Sequence, residues 1–417
     1  MRQRLAVIGS GIAGLGAALV LGRAYDVDLF EAGSHFGGHV HTHDLRVEER
    51  DLAVDSGFIV FNELNYPNFV RLLQQLGVAA RPTSMSFSVK DERSGLEYNG
   101  SSLNQLFARR RNLFSLRFHR MLREILRFNA EGRAVARAGA MAELSLGEFL
   151  RAGAYSKAFV DWYIVPMGSA LWSADPVRLL DFPVLTFLRF FDHHRMLDVK
   201  GRPQWLTVTG GSREYVRALL AAFSGRAFLA SPVAGVRRLE SGVELQFADQ
   251  PARRYDQVVL AVHSDQALRL LQDPSPAERE LLGAVGYQAN PVLLHTDASL
   301  LPKRRLAWGA WNSRLPREPR RAATVTYWMN GLQGLEVQTP LLVSLNSAEA
   351  VDPARVLKQL DYQHPVFTRE AVAARDLLPA LNGTRRTWFC GAWCGNGFHE
   401  DGLASALAVC RRFGLEL

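Results

Sequence analysis

The sequence predicts an α/β protein in which a Rossmann-like dinucleotide-binding domain is interleaved with an α+β domain. Three observations predict it. A buried-type strand runs straight into a glycine-rich turn and a helix at the start of the chain, a second strand ends in an acid about twenty residues later, and further strand and glycine signals return near residues 205–262 and 387–406. Between those stretches the chain carries none of the nucleotide signals, so the domain is expected to be discontinuous: 1–78, 201–264 and 379–417, with 79–200 and 265–378 forming the second unit.

Leu5-Ala6-Val7-Ile8 reads as a parallel strand, and Gly9-Ser10-Gly11-Ile12-Ala13-Gly14 opens the helix that follows. Each glycine has a separate task. Gly9 allows the tight turn, Gly11 lets the backbone approach a pyrophosphate, and Gly14 lets the helix pack closely on the strand. The unpaired N–H groups of that helix start, with Ile12 and Ala13 in its first turn, favour a phosphate. Val27 to Phe30 is the next strand, and Glu31 after it suits an adenosine ribose and disfavours a 2′-phosphate.

Composition places the chain among ordinary globular proteins, at 48% hydrophobic and 22% charged over 417 residues, which is enough for a large core without disulfides or metals. Glycines 9, 11, 14 and 16 interrupt the apolar start, so it is expected to be strand and helix rather than a leader, and a cytoplasmic protein is expected. Cys390, Cys394 and Cys410 are odd in number and clustered, which suits reduced thiols. The net charge of +8 attracts anionic surfaces. Much of it sits in two runs, Arg109, Arg110, Arg111, Arg117, Arg120, Arg123 and Arg127, then Lys303, Arg304, Arg305, Arg314, Arg317, Arg320 and Arg321, both outside the nucleotide motifs. No nucleic-acid partner is expected.

The stretch Glu31-Ala32-Gly33-Ser34-His35-Phe36-Gly37-Gly38-His39 resembles the E-x(6)-G-G-R segment of flavin amine oxidases, phytoene desaturases and protoporphyrinogen oxidases. That resemblance implies FAD on a glutathione-reductase-type, amine-oxidase-like fold. It places Ala32, Gly37, Gly38 and His39 by the cofactor, with His39 where arginine is usual. A neutral imidazole there still donates one hydrogen bond. By the same resemblance Gly57 and Phe58 lie beneath the isoalloxazine, Val233 meets the adenine, and Gly391 and Ala392 stand where relatives carry Gly-Asp. Gly402, Leu403 and Ala404 belong to the closing motif, whose helix N-terminus would face the flavin N1 and O2 edge, with Asp401 expected as N-cap. His39, His41 and His43 alternate and would share a face on an extended segment, but no completing acid or cysteine is near in sequence and no metal site is expected.

End to end the chain resembles a narrower group of bacterial FAD-dependent oxidoreductases associated with cyclopropane-fatty-acid-synthase-like lipid methyltransferases. The stretches that carry this are Asp55 to Asn62, Tyr98 to Asn104, Gly210 to Val216, His295-Thr296-Asp297, Tyr327 to Asn330 and Gly397 to Leu403. The resemblance implies a hydrophobic small-molecule or lipid substrate, a fatty-acyl or phospholipid chain desaturated by hydride transfer to flavin N5, and a lipid methyltransferase as partner. Its rivals are a flavin amine oxidase and a flavin-binding accessory protein without turnover. His399, Tyr327 and Trp393 are the pocket candidates, and no catalytic residue is assigned.

Phe114, Phe118, Met121, Leu122, Ile125 and Phe128 recur at helical spacing with arginines on another side. Core packing with a solvated face is one account of that helix. The other is an interfacial helix on an anionic membrane surface, peripheral at the inner face.

Overall fold

The computed structural model describes residues 2–318 and 322–417, so Arg320 and Arg321 of the second basic run lie outside the described residues. A five-stranded parallel sheet is laid down in the spatial order Arg226–Phe228, Asp26–Phe30, Arg4–Ile8, Gln257–Leu260, Thr387–Phe389. Its strands come from three distant parts of the chain. The first helix, Ile12–Leu21, is buried at all ten positions because it lies between this sheet and the last helix, His399–Arg412. Helices apolar all round need such a place. Each large aliphatic side chain buried there contributes roughly 1.5–3 kcal/mol.

A second, seven-stranded sheet has the order Val356–Val366, Gly286–His295, Leu342–Leu345, Val325–Trp328, Trp311–Leu315, Phe87–Asp91, Leu96–Asn99. All its pairings are antiparallel except that of Trp311–Leu315 with Phe87–Asp91. Helices between residues 103 and 193 form an aromatic core of their own, in which Phe118, Phe128, Phe159, Phe187 and Phe191 are fully buried. The hairpin Thr42–Val47 with Arg50–Asp55 leads from the nucleotide side toward the second sheet. Among the described residues no helix is long and apolar enough to cross a membrane.

Three local expectations change. The strand signal that closes the 205–262 stretch is two pieces: Arg253–Tyr255 pairs antiparallel with Gly242–Phe247, and Gln257–Leu260 joins the parallel sheet. The break falls at Asp256, whose carboxylate accepts the Arg4 N–H at 2.7 Å. The long helix starts at Leu116, because Ser115 caps it through the Phe118 N–H, and Phe114 is therefore left outside the helix and exposed. The last helix begins at His399, three residues earlier than an N-cap at Asp401 requires. Asp401 sits inside the first turn and accepts the Phe398 N–H at 2.9 Å.

Candidate cofactor cradle and active site

At the end of the first strand the chain turns at Gly9, whose φ of +97° is open only to glycine at little cost. A β-carbon on Gly14 would lie 1.8 Å from the Gly9 carbonyl oxygen, so helix and turn meet backbone to backbone. Gly11 is different: a β-carbon there would meet nothing within 4 Å. The first helix starts immediately after it with no side-chain cap, which leaves its first-turn N–H groups free for an anion. Gly38, at φ +60°, approaches the Gly11 Cα and closes the other side of that open space.

Glu31 is fixed by three donors. Its Oε2 accepts the Ser10 N–H at 2.9 Å and the Ser10 hydroxyl at 2.5 Å, and its Oε1 accepts the Gly33 N–H at 2.7 Å. A carboxylate has about four lone-pair sites, so capacity remains for a ribose hydroxyl. Gly37 ties this loop back through its N–H to the Ser10 carbonyl at 3.0 Å. Ala32 is exposed beside it, and Val233 is half-buried at the start of the neighbouring strand Val233–Leu239.

The last helix closes the cradle. A β-carbon on Gly402 would sit 2.9 Å from Ile12 Cγ2, 3.6 Å from the Ala392 nitrogen and 3.9 Å from the Ala13 nitrogen, and one on Gly16 would sit 2.6 Å from Leu403 Cδ1. Ile12, Ala13, Ala392, Gly402 and Leu403 thus converge from two ends of the chain. The Gly391 N–H donates to the Ser405 hydroxyl at 2.9 Å, and Ala404 is half-buried in the same turn.

Beyond Gly38 lies a group of aromatic and imidazole rings. The His39 carbonyl accepts the Phe58 N–H at 2.9 Å, and a β-carbon on Gly57 would lie 1.9 Å from that same oxygen, so the 37–41 turn and the Gly57 segment are in backbone contact. The His39 ring stands 5.1 Å from Tyr362, 5.4 Å from His364 and 6.3 Å from His263. Its Nε2 is buried with no hydrogen-bond partner, and so is Nδ1 of His263. Burial, reinforced by repulsion from His364 and His263, holds His39 down at about 3, so the ring is neutral.

His364 is also neutral, held at about 4 by burial and by His263. Its tautomer follows from its partner. The Asn290 amide nitrogen, which donates to the Gln288 carbonyl at 3.0 Å, lies 2.9 Å from His364 Nδ1, while Asn290 Oδ1 accepts from Asn346 at 2.8 Å. An amide nitrogen only donates, so Nδ1 accepts and the ring proton sits on Nε2. Next to it, Tyr362 shares a hydrogen bond with Ser56 Oγ at 2.7 Å and reaches His41 Nδ1 at 3.3 Å, and Ser56 Oγ lies 2.8 Å from His43 Nε2. His41 and His43 do share a face, with rings 4.1 Å apart, but His39 belongs to the other group. Among the described residues no cluster of histidine, cysteine or acid is arranged to hold a metal ion.

The three pocket candidates separate. His399 stacks on Phe58 at 3.7 Å, bonds through Nε2 to the Tyr215 hydroxyl at 2.8 Å, and is held at about 3 by burial and by His39. Tyr327 is half-buried with its ring edge-on to Trp311 at 5.1 Å, in the cluster that includes Ile59, Val60 and Tyr362. Trp393 lies in the core behind the parallel sheet, donating its indole N–H to the Val262 carbonyl at 3.1 Å. Tyr362, His364, Asn290 and His263 carry no individual expectation from the sequence. The Tyr-x-His alternation at 362–364, on a strand directly paired with Gly286–His295, is the signal that points to them.

The sequence profile described as flavin containing amine oxidoreductase matches residues 12–330. The chain belongs to this family. No curated protein matches its sequence. Among solved structures this family member is similar to a CLA-producing fatty acid isomerase from P. acnes (15% identity, TM-score 0.70, 99% of this chain and 98% of that one). It is similar also to cyclohexylamine oxidase from Brevibacterium oxydans IH-35A (16%, 0.68, 99% and 100%) and to putrescine oxidase bound to putrescine (14%, 0.69, 99% and 99%). The protein is therefore an FAD-dependent oxidoreductase with an amine-oxidase-like fold.

FAD fits what the chain offers. The open face of Gly11, the uncapped first turn and the partnerless nitrogens of His39 and His263 are what an extended dinucleotide with a polar ring would fill.

Proposed function

We propose that this oxidoreductase removes hydride from a C–H bond of an apolar substrate, a fatty-acyl or phospholipid chain, and leaves a carbon–carbon double bond. When bound, FAD supplies the two-electron acceptor at N5, and oxygen or another acceptor takes the electrons on. The observation that carries the apolar reading is one side of a cavity of about 510 Å³, where Trp172, Leu179, Phe182, Val366 and Phe367 form an apolar wall facing charged and polar side chains. Trp172 donates its indole N–H to the Asn396 carbonyl at 3.2 Å and packs 6.4 Å from the Phe398 ring. Trp172 thus links the cavity wall to the residue before His399. Each methylene buried against such a wall gains about 0.8 kcal/mol.

The ring cluster supports the same reading. His39, His364 and His399 are neutral and put no fixed charge beside the Gly57–Phe58 segment, which suits an uncharged carbon chain. Hydride and proton leave neighbouring carbons. The Ser56 and Tyr362 hydroxyls, bonded to His43 Nε2 and His41 Nδ1, relay the departing proton, and the half-buried His41, whose imidazole rests neutral, passes it on to water, while Phe58 and the Phe398 ring position the chain and exclude water from the reacting carbons.

Oxidation of an amine is the second reading. Four acids, Glu148, Asp175, Asp181 and Glu370, line the same cavity against Arg178 and Arg369, an excess of two negative charges that would draw a cation. The putrescine and cyclohexylamine oxidases among similar structures support it. An anaerobic screen for loss of flavin absorbance separates the two. Bleaching by methylated or unsaturated phospholipid is expected; bleaching by amines alone would reverse the assignment.

A further inference from the structure

The two basic runs, nearly two hundred residues apart in sequence, meet in space. Glu97 joins them. Its backbone carbonyl accepts the Asn112 amide at 3.2 Å, and its carboxylate accepts the Lys303 N–H at 2.8 Å and the Arg304 guanidinium at 2.9 Å. The turn Leu103–Leu106 packs beside Arg305–Ala307 at the same place.

This surface is apolar at its tips and cationic around them. Leu103 is 77% exposed, Phe114 87% and Leu116 84%, with Leu113 and Leu306 exposed beside them in their respective segments. Side chains so far out of the surface have no groove to fill within this chain. Arg110, Arg111, Arg117, Arg123, Lys303 and Arg305 are exposed, and none has a carboxylate partner among the described residues. Residues 98 to 123 contain six arginines (109, 110, 111, 117, 120 and 123) and no acid.

We infer that this surface docks on an anionic lipid bilayer, with Leu103, Phe114 and Leu116 entering the acyl boundary and the cations meeting headgroup phosphates. Charge complementarity fixes the occupant: unpaired arginines around protruding apolar side chains match a negatively charged, apolar-cored sheet. The helix itself does not lie in the membrane. Phe118, Met121 and Phe128 are committed to the aromatic core, so contact is confined to the helix start, the segment before it and the 303–306 turn. The inference is independent of the substrate reading, since a membrane-docked amine oxidase would use the same surface.

The test is flotation of the FAD-loaded protein with vesicles of phosphatidylglycerol and phosphatidylethanolamine, against vesicles of phosphatidylcholine alone. Wild type is expected to float with the anionic vesicles at about 0.1 M salt and to bind about tenfold or more weaker at 0.5 M, where screening is shorter-ranged. Phe114→Ser with Leu116→Ser, and separately Arg111→Glu with Arg117→Glu, are expected to stay at the bottom while flavin absorbance and turnover in solution are unchanged. Equal flotation with neutral vesicles, no flotation of the wild type, or variants that float as wild type does would overturn the inference. So would a wild type that ignores vesicles but forms a dimer which the Phe114→Ser, Leu116→Ser variant lacks, since the surface would then belong to a second copy.

Discussion

Gly402 and Ile12 are neighbours across almost the whole length of the chain: a β-carbon on Gly402 would lie 2.9 Å from Ile12 Cγ2. Through this contact the last helix reaches the uncapped start of the first, and the nucleotide cradle depends on it.

A Gly402→Val substitution is expected to push the last helix away from Ile12, Ala13 and Ala392. Overpacking of this kind costs about 1–3 kcal/mol. The purified variant should be folded by circular dichroism yet retain little flavin, with an FAD dissociation constant raised about tenfold or more. Wild-type flavin content in this variant would show that the contact is packing alone.

Asp55 ties its hairpin to Ser212, at the start of the helix Arg213–Ala222, and to Gln333. Its buried carboxylate accepts the Ser212 N–H at 3.0 Å, the Ser212 hydroxyl at 2.7 Å, the Thr42 hydroxyl at 2.5 Å and the Gln333 amide at 3.0 Å. Asp55→Asn turns one acceptor into a donor facing donors, and should cost about 1–3 kcal/mol in a denaturant titration. An unchanged midpoint would mean that these bonds are replaced by water.

Acid should destabilise the flavin-free protein. Burial, with repulsion between neighbouring imidazoles, holds His39 and His399 at about 3 and His364 and His41 at about 4. The unfolded chain takes up those protons below about 6.5, the folded chain refuses them until 3–4, so this contribution is complete above 6.5 and is lost as pH falls through that window. Asp55 acts in the opposite sense: burial raises it to about 6, so stability it provides is present below the usual carboxylate value and lost as pH rises toward 6. His43, His194, His263 and His295 are lowered by burial in the same way, and Glu400 and Asp401 are raised like Asp55; with eight imidazoles against three carboxylates, the melting temperature should drop between pH 7 and 5, and His364→Gln should make the drop smaller. A melting temperature that rises on acidification would contradict the burial of these rings.

Tyr362→Phe removes the hydroxyl that links Ser56 to His41 and leaves the flavin cradle untouched. Turnover of whichever substrate bleaches the flavin should fall about a hundredfold, the lower range for a lost proton-transfer group, with flavin content and substrate KM little changed. Equal turnover would place Tyr362 outside the proton path.

The cradle was legible because glycine spacing, a strand and an acid are local signals: Gly9, Gly11, Gly14 and Glu31 state their geometry within the first stretch of chain. The ring cluster was not, because His39, His263, Tyr362 and His364 come from four separate segments, and only sheet pairing brings Asn290 beside His364. Trp393, a pocket candidate from the sequence, lies in the core instead, because its indole turns back to the Val262 carbonyl. Phe114 fell out of its helical stripe because Ser115, a residue of no weight in a hydrophobic pattern, caps the helix one position later.

The open backbone at Gly11, the Glu31 carboxylate and the start of the last helix are expected to hold FAD along its length. Equilibrium titration of the flavin-free, folded chain with FAD, read by flavin fluorescence, tests it most directly. One FAD bound per chain, with affinity lost in Gly11→Val, is the predicted result. A folded wild-type chain that takes up no FAD, or a Gly11→Val chain that binds it as tightly as wild type, would contradict it.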